Sequence, residues 1–289
     1  MKKLIVEVRM NEGAKKPDNS HVAYTPDEII ADAVECANAG AALVHFHARK
    51  EDGAESNEVD DYRRIIGGIR ARTDVMVHPT LGLFHGARPD QRLSHISALA
   101  ASDDLRPEIA PLDMGSNNLD FWNPETKSFV GDGYVYQNLT SDLRIMASRL
   151  SEWRVKPQLA LWTVANARLM GVFVEAGLLK EPVFPVLFLS GDRFVAGHPA
   201  TSAGLRAFAD NLPDCRCEWS VLVHQANMLP LIPEIVSLGG HVSIGLGDYA
   251  YPEIGCPSNA ELVGRVAQIA RTMGRELATA NEAREMLAA

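Results

Sequence analysis

The sequence predicts a (β/α)8 (TIM) barrel folded as a single domain over residues 1–289, and three observations carry the prediction. Eight short apolar runs alternate with stretches of helical periodicity, the order expected of parallel strands joined by crossover helices. A chain of 289 residues, 46% of them hydrophobic, is long enough to wrap eight such units around one core. The alternative is a doubly wound open sheet. It gains no support from a dinucleotide turn, because no Gly-x-Gly-x-x-Gly follows the first apolar run. No fixed-period repeat or low-complexity linker divides the chain.

The elements follow in order. Lys3 to Asn11 reads as strand one and runs into Asn11-Glu12-Gly13. Thr25-Pro26-Asp27-Glu28 opens a helix with an N-cap Thr, Pro in the first turn and Glu28 at the capping-box position, and Gly40 stops it. Ala41 to Arg49 is strand two. Asp60 and Asp61 precede a helix over Tyr62 to Arg70, and Asp74 to Gly82 is strand three. A helix from Arg88 to Ala100 leads to strand four, Pro107 to Gly115, after which a long polar loop spans Ser116 to Tyr136. Then come a helix from Ser141, strand five from Lys156 to Thr163, a helix over Asn166 to Ala176, and strand six from Pro182 to Ser190. A helix over Thr201 to Asn211, strand seven from Cys217 to His224 and a helix over Met228 to Leu238 follow. Strand eight is His241 to Asp248, and Ser258 with Glu261 three residues on opens a final long helix.

A formal net charge of −9, with no run of Lys or Arg, excludes a nucleic-acid partner. Four cysteines without metal-ligand spacing fit a reducing, cytoplasmic compartment. The first residues meet a charge too soon for a signal peptide, and no apolar run is long enough to span a bilayer.

The chemistry gathers on strand two. Side chains alternate across a strand, so His45, His47 and Arg49 share one face, opposite Val44, Phe46 and Ala48. Two imidazoles so placed can reach one divalent ion, for which zinc is the best match. The alternative is a pair of buried, hydrogen-bonded histidines. In a (β/α)8 barrel the reactive groups sit at the C-terminal strand ends. The polar residues there are Asn11 and Glu12, His78 and Thr80, Asp113, Ser116 and Asn117, Thr163 and Asn166, Ser190, Asp192 and Arg193, His224, Gln225 and Asn227, and Asp248. His78 and His224 are candidates for a third metal ligand. Thr80, Asp113, Ser190 and Asn11 are candidates for substrate contacts, and Arg49 for a substrate carboxylate. His241 falls at the opposite end, His21, His85 and His198 fall in loops, and His95 reads as a surface helix position.

The stretches Thr25-Pro-Asp-Glu, Ala39 to Arg49 with its His-Phe-His, Gly239 to Asp248, and Asn259 onward together resemble the β-keto acid cleavage enzyme family across nearly the whole chain. The resemblance implies a (β/α)8 barrel, a zinc ion, a homotetramer, and a Claisen-type exchange in which a β-keto acid and acetyl-CoA give acetoacetate and a new acyl-CoA. It matches His45 and His47 to the family's metal histidines, Asp248 to its proton-transferring aspartate, and Glu12, after a one-residue shift, to its strand-one acid. Two positions depart from the family pattern. Gly247 stands where a metal-binding glutamate is found, and Ser243 where an arginine pairs with the aspartate. The third ligand then falls to Glu12, His78, His224 or Asp248, and the arginine's role to Arg49 or Arg193. Two other functions fit the same residues: a metal-dependent hydrolase or aldolase, and an inert ligand-binding barrel.

Overall fold

The computed structural model describes residues 2–81, 86–131 and 133–289. Among them, eight parallel strands form the barrel: β1 (Val6–Arg9), β2 (Leu43–Phe46), β3 (Met76–Pro79), β4 (Ile109–Asp113), β5 (Lys156–Leu161), β6 (Phe184–Ser190), β7 (Ser220–His224) and β8 (His241–Ile244). The ladder runs β3-β2-β1-β8-β7-β6-β5-β4. The ends of this ladder, β3 and β4, meet at a seam that a side chain closes. The Glu108 carboxylate accepts from the Val77 backbone N–H at 3.1 Å and from Arg70 and Arg284 at 3.0 Å each.

The helices α1 (Pro26–Ala39), α2 (Val59–Arg70), α3 (Ser94–Ala100), α4 (Thr140–Glu152), α5 (Val164–Glu175), α6 (Ser202–Ala209), α7 (Ile232–Ser237), α8 (Asn259–Thr272) and α9 (Ala280–Leu287) surround and close the barrel. Thr25 and Glu28 form the reciprocal capping box of α1, Ser258 and Glu261 that of α8. Helix α9 starts from the same device, Thr279 with Glu282. Its Ala283 and Leu287 pack with Ile5, Leu43, Met76, Ile109 and Phe184 to plug the N-terminal end of the barrel. Among the described residues no helix is long and apolar enough to cross a membrane.

Two sequence expectations change. Ser116 to Tyr136 is not a plain loop: Asn117–Asn118 pairs with Val135–Tyr136, and Phe121–Asn123 with Ser128–Gly131, both antiparallel. The second pair turns through Asn123, whose carboxamide oxygen accepts from the N–H groups of Glu125 and Thr126, and Trp122 meets Phe129 edge to face at 5.2 Å. His95 is buried rather than exposed. The predicted Arg88–Ala100 helix breaks at Leu93, and α3 turns His95 inward to stack on Tyr62 at 4.4 Å and to bond the Thr80 carbonyl at 2.6 Å. His85 and Gly82 lie outside the described residues.

Candidate active site

Register builds the site in layers. Arg9 lies opposite His45, and His45 opposite His78, while one layer lower Glu7 lies opposite Ser243. The lower layer centres on Glu7, with His78 Nε2 left without a hydrogen-bond partner among the described residues. Glu7, fully buried, receives hydrogen bonds from His78 Nδ1, Gln158 Nε2 and Ser243 Oγ, each at 2.7 Å. Burial opposes its charge, but the His78 hydrogen bond and neighbouring cations outweigh burial and bring Glu7 down to about 2. Burial is the largest influence on His78 and lowers its pKa, while its hydrogen bond to Glu7 opposes that shift.

The upper layer faces a cavity of about 390 Å³. Arg9 donates through Nη2 to Glu12 Oε1, and its Nε lies 3.2 Å from Asp248 Oδ2. Glu12 Oε1 also lies 3.2 Å from His45 Nε2, and Asp248 Oδ1 lies 3.2 Å from His224 Nδ1. Burial works against the Glu12 charge, but Arg9 and His45 override it and hold the carboxyl well below the usual range. Asp248 goes the other way: burial, then the adjacent Glu12 charge, push it up to about 6. Burial, followed by repulsion from Arg9 and His78, takes His45 down to about 3.

The resemblance implies a metal, and the residues fit one. Ligand atoms of Glu12, His45 and His47 all lie within 4.8 Å of one another, two imidazoles and a carboxylate, a donor set of catalytic zinc. His45 is held in the neutral form that a metal needs, and its buried Nδ1 has no hydrogen-bond partner among the described residues. The atoms of Glu12, His224 and Asp248 lie equally close, so Glu12 links both groups. Gly247 packs closely against this side: a Cβ there would sit 3.0 Å from Glu12 Cγ and 3.0 Å from the Arg9 carbonyl oxygen.

A wider groove of about 1010 Å³ adjoins the cavity, sharing Gly13, Phe121 and His224 with it and carrying Lys15 and Arg193. A two-chamber site with a carboxylate of raised pKa beside a metal-type donor set suits carbon-acid chemistry on a small ligand delivered with a larger one. The family model described as beta-keto acid cleavage enzyme matches residues 3–288.

The chain belongs to the beta-keto acid cleavage enzyme family.

It is 28% identical to the 3-keto-5-aminohexanoate cleavage enzyme of Fusobacterium nucleatum over 99% of this chain and 98% of that one. It is 29% identical to the 3-dehydrocarnitine:acetyl-CoA trimethylamine transferase of Rhizobium meliloti over 93% and 90%. A ternary complex of ObcA with a C4-CoA adduct and oxalate has the same fold, with a TM-score of 0.70 at 18% identity over 93% of this chain and 68% of that one. The chain is thus an enzyme of a family of carbon–carbon bond-cleaving acyltransferases.

In this family member the sequence-predicted residues separate into two sets. Glu12, His45, His47, Thr80, Asp113 and His224 line the inner cavity, and Asp248 lines the adjoining groove. Ser190 also lines the groove, with its hydroxyl donating to the Phe194 carbonyl at 2.7 Å. Four others are placed differently from the expectation. Arg49 turns its guanidinium away to the carbonyls of Gly53, Asn11 and Ala14 and over the Tyr24 ring at 4.3 Å, because β2 ends at Phe46 and strand alternation no longer governs position 49. Asn11 spends its carboxamide on the Ala23 carbonyl and on both backbone groups of His47, all at 2.9 Å. His78 is committed to Glu7. Arg193 is exposed and lies 3.5 Å from Glu125. Thr163 and Asn166 form the cap of α5, and His198 packs edge to face on Phe208 at 4.6 Å. His241, at the base of β8, accepts from the Ile5 N–H at 3.0 Å.

Sequence reasoning missed Glu7 and Arg9. Their signal was alternation: two charged residues on one face of strand one, opposite Val6 and Val8, in an otherwise apolar run.

Proposed function

We propose that the enzyme exchanges acyl groups between a β-keto acid and acetyl-CoA, yielding acetoacetate and a new acyl-CoA, with zinc or another divalent ion held by His45, His47 and Glu12. The observation that carries this reading is the placement of Asp248, with its raised pKa, between the two-imidazole, one-carboxylate cluster and the wider groove. The names of relatives as acetyl-CoA transferases support the co-substrate. The ion would supply Lewis acidity toward the keto oxygen of the substrate.

Asp248 takes the C2 proton, held for that task by the Arg9 ion pair and by His224. The C2 carbanion attacks the acetyl thioester and expels the coenzyme A thiolate. The thiolate then adds to the former keto carbon and the original bond from that carbon to C2 breaks. Acyl-CoA leaves, and Asp248 returns its proton to C2 of acetoacetate. Arg9 stays charged throughout, since Glu12 and Asp248 raise its pKa further despite its burial, and it balances the two carboxylates. Thr80 and Asp113 lie on the cavity wall, Thr80 as a substrate contact and Asp113 hydrogen-bonded to Tyr136 and Trp162. The exposed Phe129, Val130, Val135, Leu139 and Ile145 favour self-association, which we take to be a homotetramer and which light scattering reads directly.

The test is incubation of zinc-loaded protein with acetyl-CoA and a panel of β-keto acids, followed by mass analysis of the thioesters. New acyl-CoA with stoichiometric acetoacetate is the expected result. No acyl-CoA from any acid overturns the reading, and turnover without coenzyme A assigns a hydrolase or aldolase instead.

A further inference from the structure

The inner cavity has two chemically opposite walls. Arg9, Glu12, His45 and His47 stand on one side. Across from them Trp162, Val186, Phe188 and Leu222 come from the β5, β6 and β7 side, and Tyr136 and Phe194 join them in one apolar cluster. Trp162 stacks on Phe188 with centroids 4.0 Å apart and planes within 12°, and Phe194 closes on the pair at 6.0 and 5.9 Å. A substrate with its keto group at the metal-type cluster has to lay whatever follows that carbon against this wall.

Among the described residues, Asp113 is the one charged side chain lining the apolar end, and its charge is already engaged. Oδ2 accepts from the Tyr136 hydroxyl and Oδ1 from Trp162 Nε1, both at 2.8 Å. Behind Tyr136 the buried Arg92 donates to the same hydroxyl at 2.8 Å and lies 5.5 Å from the ring centre. An anionic substituent would meet Asp113 with no facing cation among the described residues. An ammonium substituent would give up its water for a carboxylate whose oxygens each already accept one hydrogen bond and whose field Arg92 offsets. An uncharged apolar group loses nothing on entry and gains by burial.

We propose, resting on the β-keto acid reading above, that the substrates of this enzyme carry an uncharged apolar substituent, branched alkyl or aryl, beyond the keto carbon. Trp162 and Leu222 set that preference, and Asp113 is a positioning residue that fixes the rings of Trp162 and Tyr136. Each further methylene buried raises kcat/KM by about fourfold until the cavity fills.

The experiment compares matched β-keto acids with acetyl-CoA and the zinc-loaded enzyme: linear alkyl, branched alkyl, phenylalkyl, one ending in a carboxylate and one ending in trimethylammonium. The neutral branched and aryl acids are expected to exceed both charged acids by about 100-fold or more in kcat/KM. In Leu222→Phe, which shrinks the far wall, the ratio of branched to short linear acid should fall about tenfold. Calorimetric binding of the same acids without acetyl-CoA reads the cavity independently of turnover. Tighter binding of apolar acids with no acyl-CoA formed keeps this assignment and overturns the reaction. Equal or tighter binding of either charged acid overturns the assignment, whatever the turnover.

Discussion

Glu7 and Glu12 lie five positions apart and on successive layers of the same barrel interior, yet they do opposite things. Around Glu7 three side-chain donors meet both oxygens, and the carboxylate itself does not line the cavity. Around Glu12 the partners are Arg9 and His45, and the carboxylate lines open space. The lesson is that a buried carboxylate is structural when its donors are complete and available for chemistry when its neighbours leave a side open.

The sharpest way to break this comparison is Glu12→Gln. The substitution should lower kcat/KM by about 10³-fold or more and abolish stoichiometric zinc, with a denaturation midpoint close to that of the parent. Stripping the parent with a chelator should reproduce the loss, and zinc should reverse it. Full activity in either case would make the upper layer as structural as the lower.

Glu7→Gln should show the reverse division, a stability loss of about 1–3 kcal/mol in urea titrations with a comparatively small change in kcat. Its pH dependence is a second readout. Because folding lowers the Glu7 pKa from 4.5 to about 2, its contribution is fully present above pH 4.5 and disappears as pH falls toward 2. The variant should therefore lose stability less steeply across that window than the parent, and parallel curves would refute the assignment.

Asn11→Ala sits between the layers in effect. Cutting the bonds that fix the His47 backbone should weaken zinc affinity by about 10-fold, within the range for supporting groups around a metal, and this is measurable by competition with a chromophoric chelator. The smallest effect on turnover belongs to Arg49→Met. It should change KM for the β-keto acid by less than about threefold while lowering the unfolding midpoint, since the guanidinium serves loop carbonyls. A large rise in KM would return Arg49 to the substrate.

The same contrast shows what the sequence could disclose. The barrel was readable because capping boxes such as Thr25 with Glu28 and the alternation of apolar runs are local signals. His45 and His47 were readable because two positions only two residues apart, at the end of β2 and just past it, need little tertiary knowledge to be placed together. Arg9 was not, because its value comes from β8 lying beside β1, which delivers Asp248 to its side. Arg49 misled for a related reason: strand alternation was extended past Phe46, where the strand ends and a turn stacks the guanidinium on Tyr24. That Glu12 comes close to both histidines depended on where the chain turns after β1, which only the folded molecule shows.

The bare glycine at position 247 sets a limit on redesign just past the eighth strand. A side chain added at Gly247 would press its Cβ to 3.0 Å from Glu12 Cγ and from the Arg9 carbonyl oxygen, so any larger residue there obliges the end of the first strand to give way by a few tenths of an ångström.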